Sequence, residues 1–235
     1  MTTKHVPHKK KADGDILDNL GALIGAQIKK AVSLFDDESS GAERTKSRDE
    51  HDGEFMGYVK AFWDDRSIGS VTPSSRFLVE RMAKSAALED AKVVVEYGPA
   101  DGVITRDLLK KMRPDARLIA VEFNEKFLAA LIEKVKDPRL TAVRGDVRQI
   151  DKLLAAQGVS SVDRIVSCVP FALFTGRERH EILTKTSELL SPGGRFVAFG
   201  YTTHLIPMLK DYFSEVDIQF EVRNIPPSFI FTALK

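Results

Sequence analysis

A chain of 235 residues, 43% apolar and 29% charged, has enough apolar side chains for one sizeable core and is not a disordered polymer. Its formal net charge of +1 provides no overall basic field, so DNA is excluded as an expected partner and RNA is disfavoured. There is no run of about 18 apolar residues and no signal-peptide core, while a single cysteine, Cys168, permits no internal disulfide and suits a reducing cytoplasm.

Residues 1–12 form a short cationic arm carrying Lys4, His5, His8, Lys9, Lys10 and Lys11. From Asp15 to Phe35 the pattern changes, and Ile16, Leu17, Leu20, Leu23, Ile24, Ile28, Val32 and Phe35 recur at three- and four-residue steps. This spacing predicts one amphipathic helix of roughly 30 Å, with Asp15 and Asp18 at its positive end and Lys29 and Lys30 on or beside its polar border. Such a stripe can dock on the domain, pair with a second copy, or lie in a membrane interface. The polar stretch of mixed charge from Asp36 to Glu54 reads as a linker, dividing the chain into 1–54 and a domain at 55–235.

The domain begins with Tyr58, Phe62 and Trp63, which are placed either to pack against a sheet or to line a substrate pocket. Thr72-Pro73-Ser74-Ser75 then suits the cap of a helix carrying Phe77, Leu78 and Met82, and lies where a lid over the following strand's end would be. From Lys92 onward strands and helices alternate. Strands are expected at 92–97, 117–122, 140–143, 163–169, 194–200, 216–223 and 228–234, and helices at 102–112, 124–135, 147–156, 177–190 and 203–213. This is an α/β pattern with a mostly parallel sheet covered on both faces, closed by a hairpin around Asn224-Ile225-Pro226-Pro227 that adds one antiparallel strand.

The first strand holds the stretch on which function turns, Val93-Val94-Val95-Glu96-Tyr97-Gly98-Pro99-Ala100-Asp101-Gly102. Glycine allows a sharp turn and close backbone approach to a ligand, and the helix that follows presents free N–H groups. The dinucleotide fingerprint G-x-G-x-x-G is absent; the spacing is Glu96-x-Gly98-x-Ala100-x-Gly102. It resembles motif I of the class I S-adenosylmethionine (SAM) methyltransferases, with Ala100 where that family places its middle glycine. The resemblance implies a seven-stranded Rossmann-like sheet and assigns Glu96, Gly98, Ala100 and Gly102 to SAM. No metal is expected.

Further positions agree. Glu122 closes the second strand, where a carboxylate accepts hydrogen bonds from ribose hydroxyls. The resemblance places the Asp146 carboxylate on the adenine amino group and a backbone N–H of Val147 beside it; the plain alternative for Asp146 is a helix cap. Leu189-Leu190-Ser191-Pro192-Gly193-Gly194-Arg195-Phe196 matches the family's turn into the fifth strand.

Ligands of open α/β sheets bind beyond the carboxyl ends of the strands, so the acceptor is read from Ser167-Cys168-Val169-Pro170-Phe171. DNA and RNA adenine methyltransferases carry an Asn or Asp here to hold the base amine; this chain has Ser167 and Cys168. Together with Val71-Thr72-Pro73-Ser74-Ser75 and Arg223-Asn224-Ile225-Pro226-Pro227-Ser228, the segment is similar to that of bacterial phospholipid N-methyltransferases, relatives of the rRNA adenine dimethylases. Their Ser-Gly-Leu-Pro stands here as Ser167-Cys168-Val169-Pro170, which places Ser167 among the cofactor residues.

That resemblance implies methylation of phosphatidylethanolamine toward phosphatidylcholine by a cytoplasmic enzyme bound peripherally to the inner face of the membrane. Residues 1–35 would then meet an anionic membrane surface. The methyl acceptor is a neutral amine, so positioning supplies much of the rate. Glu96, Asp101 and Tyr201 are the candidate bases. Phe62, Trp63, Phe171 and Tyr201 are the candidate aromatic lining for a headgroup that becomes cationic as it gains methyl groups. The rival readings are an rRNA or small-molecule amine N-methyltransferase and a non-catalytic SAM-fold interaction protein. The oligomeric state is left open.

Overall fold

The computed structural model describes residues 75–224 and 226–235. The cationic arm, the amphipathic stripe, the linker and the expected boundary at residue 54 lie outside the described residues, as do Phe62 and Trp63.

The chain enters through α1 (Arg76–Ser85) and then alternates: β1 (Val93–Tyr97), α2 (Val103–Lys111), β2 (Arg117–Glu122), α3 (Glu125–Lys134), β3 (Leu140–Arg144), α4 (Ile150–Ala156), β4 (Val162–Ser167), α5 (Gly176–Leu189), β5 (Leu190–Gly200), α6 (Leu205–Tyr212), β6 (Glu215–Glu221) and β7 (Ser228–Leu234). The seven strands form one sheet in the order β3-β2-β1-β4-β5-β7-β6. β7 runs antiparallel to both of its neighbours, and the other ladders are parallel. Because both faces of the sheet are covered, the central strands are apolar along their length instead of alternating: Val94, Val95, Leu118, Ile119, Ala120, Ile165 and Val166 are all fully buried. One face packs residues of α1, α2 and α3 against Val94, Leu118 and Val197. The other packs α4, α5 and α6 against Val95, Ile119 and Phe196.

The helix starts have identifiable causes. Ser75 Oγ accepts the N–H of Leu78, Asn124 accepts from Lys126 and Phe127, and Thr175 with Glu178 makes a reciprocal capping box. The expected helix at 147–156 opens instead with a 3-10 turn over Val147–Gln149, capped by Asp146. β4 ends at Ser167, two residues before the expected limit; the Cys168 N–H still reaches Tyr97 O at 2.8 Å, and Pro170 opens a 3-10 turn over Phe171–Leu173. β5 begins at Leu190, earlier than expected. Its pairing to β4 jumps from Val162–Leu190 to Arg164–Arg195, so the Ser191-Pro192-Gly193-Gly194 turn is carried as a bulge inside the strand.

The order reverses between β1 and β4, where one crossover goes toward β3 and the other toward β6. That is the position at which open α/β sheets leave a crevice at the carboxyl edge.

Candidate active site

The crevice is present. A cleft with about 620 Å³ of space, its open mouth included, is lined by the ends of β1, β2, β3 and β4, with Gly98, Ala100, Glu122, Gly145, Asp146 and Cys168 among its walls. Four of the expected positions outside motif I therefore have distinct placements: Glu122, Asp146 and Val147 line the cleft, whereas Ser167 is fully buried in β4 behind it.

Motif I forms a tight, strained turn. Gly98, Ala100 and Gly102 all have positive φ, at 65°, 50° and 85°. A Cβ on Gly98 would stand 2.9 Å from Val169 Cγ1, so glycine lets the turn approach the β4 end closely. A Cβ on Gly102 would stand 2.7 Å from Leu131 Cδ1 and 2.8 Å from Val135 Cγ2. Gly102 is thus needed for packing α2 against α3; it is not among the cleft walls. Ala100 holds a left-handed conformation that an L side chain adopts at a cost of roughly 1–2 kcal/mol.

The carboxylates differ in environment. Glu122, at the lip of the cleft, is 7% exposed; its Oε2 accepts the Ala100 N–H at 3.1 Å and its Oε1 the Asn124 N–H at 2.8 Å. Burial raises its pKa, opposed by the bonds from Asn124, Ala100 and Phe123. Glu96 is fully buried, its Oε2 taking the Thr105 hydroxyl at 2.7 Å and its Oε1 having no hydrogen-bond partner among the described residues. Burial pushes the Glu96 carboxyl up to about 8, against the Thr105 bond and with a smaller contribution from the Glu122 charge, so it is predominantly a neutral acid at pH 7. Desolvation, then the charges of Glu96 and Glu122, pushes the Cys168 thiol well above its usual range, which keeps it from acting as a nucleophile.

Asp146 is both things the sequence allowed, a cleft wall and a cap. Its Oδ1 accepts the Arg148 N–H and its Oδ2 the Arg148 Nε, each at 2.8 Å, and Arg148 Nη1 continues to Glu178 Oε1 at 2.7 Å. A carboxylate has about four lone-pair sites, so this network leaves capacity toward the cleft.

The expected substrate residues scatter. Phe171 is a core residue, 6% exposed, with its ring edge-on to Phe174 at 6.0 Å and to Phe196 at 6.1 Å. Of the two rings that follow Pro170, it is Phe174 that lines the cleft, because the 3-10 turn tucks Phe171 behind it. Tyr201 follows the carboxyl end of β5, edge-on to Phe199 at 6.2 Å, with its phenol pKa raised by burial. A neutral phenol of that kind is a poor base. Asp101 is engaged elsewhere, ion-paired with Lys134 at 3.0 Å on the outer side of the turn. Phe123, Asn124 and Phe127, on and after the β2 end, also line the cleft, and no motif singled them out.

The donor set fits SAM. Glu122 offers acceptors for a diol, Asp146 acceptors for an amine, and Val121, Phe123 and Val147 apolar walls for a purine, while the turn at Gly98 exposes backbone. Bound SAM supplies an electrophilic methyl group on a sulfonium. This fold and this cleft define a class I SAM-dependent methyltransferase. A methyltransferase-domain family model matches residues 94–194. The chain is 30% identical over 176 residues to an ornithine lipid N-methyltransferase of Singulisphaera acidiphila, covering 74% of this chain and 92% of that protein. It belongs to the bacterial lipid N-methyltransferases, a family of SAM-dependent enzymes. Over 100 residues it is also 34% identical to ribosomal RNA small subunit methyltransferase A of Caulobacter vibrioides, covering 42% of this chain and 36% of that one. Among solved structures, the 1,6-didemethyltoxoflavin-N1-methyltransferase of Burkholderia thailandensis, with bound S-adenosylhomocysteine, shares the fold at a TM-score of 0.59 and 20% identity, over 83% of this chain and 93% of that one.

Proposed function

We propose that this enzyme transfers methyl groups from SAM to the amine of an aminolipid headgroup at the cytoplasmic membrane surface, phosphatidylethanolamine being the expected acceptor. The observation that carries the reading is the likeness to an ornithine lipid N-methyltransferase over 92% of that protein, whereas the likeness to the rRNA enzyme covers 36% of it. The β4 end supports the choice: Ser167 is buried and Cys168 is a neutral thiol, so neither supplies the amide or carboxylate that would hold a base amine.

In this reading Glu122 accepts the ribose hydroxyls, Asp146 and the Val147 backbone meet adenine, and the Gly98–Gly102 turn holds the methionine part. Tyr201, after the carboxyl end of β5, is the described candidate for the headgroup lining. The amine loses its proton to water or to the lipid's own anionic group, since the buried Glu96 is protonated and Asp101 is ion-paired away from the cleft. Residues 1–35, a cationic arm followed by an amphipathic stripe, hold the enzyme on anionic lipid.

The test offers labelled SAM with aminolipid vesicles or with ribosomal RNA and counts label in the organic and aqueous phases. Label in lipid, with vesicle binding lost and SAM binding kept on deletion of residues 1–35, is the expected result. Label in RNA overturns the lipid assignment, and unchanged vesicle binding by the truncated chain overturns the role of the first 35 residues.

A further inference from the structure

Away from the cofactor cleft, three arginines converge at the same carboxyl edge of the sheet. β6 ends at Glu221, which pairs with Ser228; the adjoining Phe229 pairs with Gly200, one residue before Tyr201. α1 starts at this edge, because the Ser75 N–H donates to Asn224 Oδ1 at 3.0 Å while Asn224 Nδ2 donates to Pro226 O and Ser228 Oγ, both at 2.8 Å. Asn224 and Ser228 are buried, so the clasp between the two segments is part of the fold.

Glu221, 1% exposed, anchors two guanidiniums. Arg81 Nε lies 3.0 Å from its Oε2, and Arg223 binds it twice, Nε to Oε1 at 2.8 Å and Nη2 to Oε2 at 2.9 Å. Arg223 also lies over the Phe77 ring, its guanidinium carbon 4.0 Å from the centroid, and Arg76 approaches the same ring at 4.8 Å. The two guanidiniums are therefore no more than about 9 Å apart. Among the described residues Arg76 has no ion-pair partner. Among the described residues, the carboxylates that face the group are Glu221 and the exposed Glu80, which acts on the charge of Arg223, so three guanidiniums stand against two carboxylates and the described seat is net positive. Arg223, whose side chain is 52% exposed, still has N–H donors to offer after its two bonds to Glu221.

We infer that Arg223 and Arg76, stacked on Phe77 and with Arg223 anchored by Glu221, form the seat for the anionic group, phosphate or carboxylate, of the aminolipid whose amine is methylated. The inference rests on the proposed function and deepens it. An aminolipid headgroup carries its anion a few bonds from its amine, so a cationic seat on the β6–β7 end fixes the headgroup without placing a cation at the amine. Adjacent strands are about 4.8 Å apart and β6 is three strands from β4, so the Glu221 anchor lies roughly 14 Å from the β4 end, a gap that an extended arginine and a headgroup bridge together.

The test measures binding of water-soluble short-chain probes to the full chain: dihexanoylphosphatidylethanolamine for phosphate, a short N-acylornithine for carboxylate, and an ethanolamine ether of equal length lacking an anion. Inorganic phosphate is the competitor. The double variant Arg76→Gln/Arg223→Gln is expected to lose at least tenfold in affinity for the probe whose anion the seat takes, and less than twofold for the ether and for SAM. Competition by phosphate, absent in the variant, is expected as well. Arg76→Gln alone breaks no ion pair among the described residues and should lose about threefold while its melting temperature is unchanged, so misfolding cannot imitate the result. Equal affinity of variant and wild type for both anionic probes, or a wild type that prefers the ether, overturns the seat. Methyl transfer to the same probes reports separately: arginine-dependent binding without transfer refutes amine methylation and leaves the seat standing, whereas transfer with arginine-independent binding does the reverse.

Discussion

Glu122 Oε2 accepts the backbone N–H of Ala100 at 3.1 Å, joining the end of β2 to the left-handed residue in the middle of the β1–α2 turn. One side chain thus shapes two walls of the cleft. It ties the strained turn to the sheet and presents a carboxylate at the lip.

Glu122→Ala removes both the tie and the acceptor. Hydrogen bonds to a charged group are worth about 1.5–3 kcal/mol, so the dissociation constant for SAM should rise about tenfold to a hundredfold by calorimetry. An unchanged SAM affinity would remove Glu122 from the cofactor site.

Ala100→Gly relieves the left-handed strain but adds freedom to the unfolded chain, effects of roughly 1–2 and 0.4–1 kcal/mol in opposite directions. Denaturant unfolding should show a gain between zero and about 1.6 kcal/mol. A clear loss of stability would mean that the methyl group packs usefully.

Gly102→Ala meets Leu131 and Val135 below 3 Å while holding φ at 85°. The expected cost is about 2–3 kcal/mol, read as a lower unfolding midpoint. If the variant keeps wild-type stability and loses only SAM affinity, Gly102 contacts the cofactor and its packing role is wrong.

Glu96 makes stability depend on pH. Its carboxyl pKa is raised from 4.5 to about 8, so between these values the folded state binds more protons than the unfolded state. Its contribution is fully present below pH 4.5 and is lost as pH rises through 8. Glu96→Gln keeps an acceptor for Thr105 and should flatten this slope, gaining on the wild type by on the order of a few kcal/mol between pH 5 and 8. Parallel melting-temperature profiles for the two proteins would contradict the buried neutral acid.

The alternation of strands and helices was legible because each is long and strongly patterned, from Val93-Val94-Val95 through the final hairpin. Glu122 and Asp146 were legible because one ends and the other follows a strand that could be placed. Phe171 and Phe174 were not distinguishable, since both follow Pro170 and only the 3-10 turn decides which ring faces the cleft. The motif spacing of Gly98 and Gly102 said nothing of their different neighbours, which depend on how α3 packs across the sheet. The arginine seat was illegible for a related reason: Arg76 and Arg223 stand far apart in sequence and meet only on the Phe77 ring.

Delivery of a methyl group from SAM to a lipid amine through the cleft between β1, β2 and β4, as proposed above, is tested by transfer of labelled methyl from SAM to phosphatidylethanolamine in vesicles with and without anionic lipid, comparing wild type with Glu122→Ala. Methylated lipid from the wild type, dependent on anionic vesicles and strongly reduced in the variant, is the predicted result. SAM binding and vesicle binding without any methylated lipid would contradict it and remove phosphatidylethanolamine as the substrate.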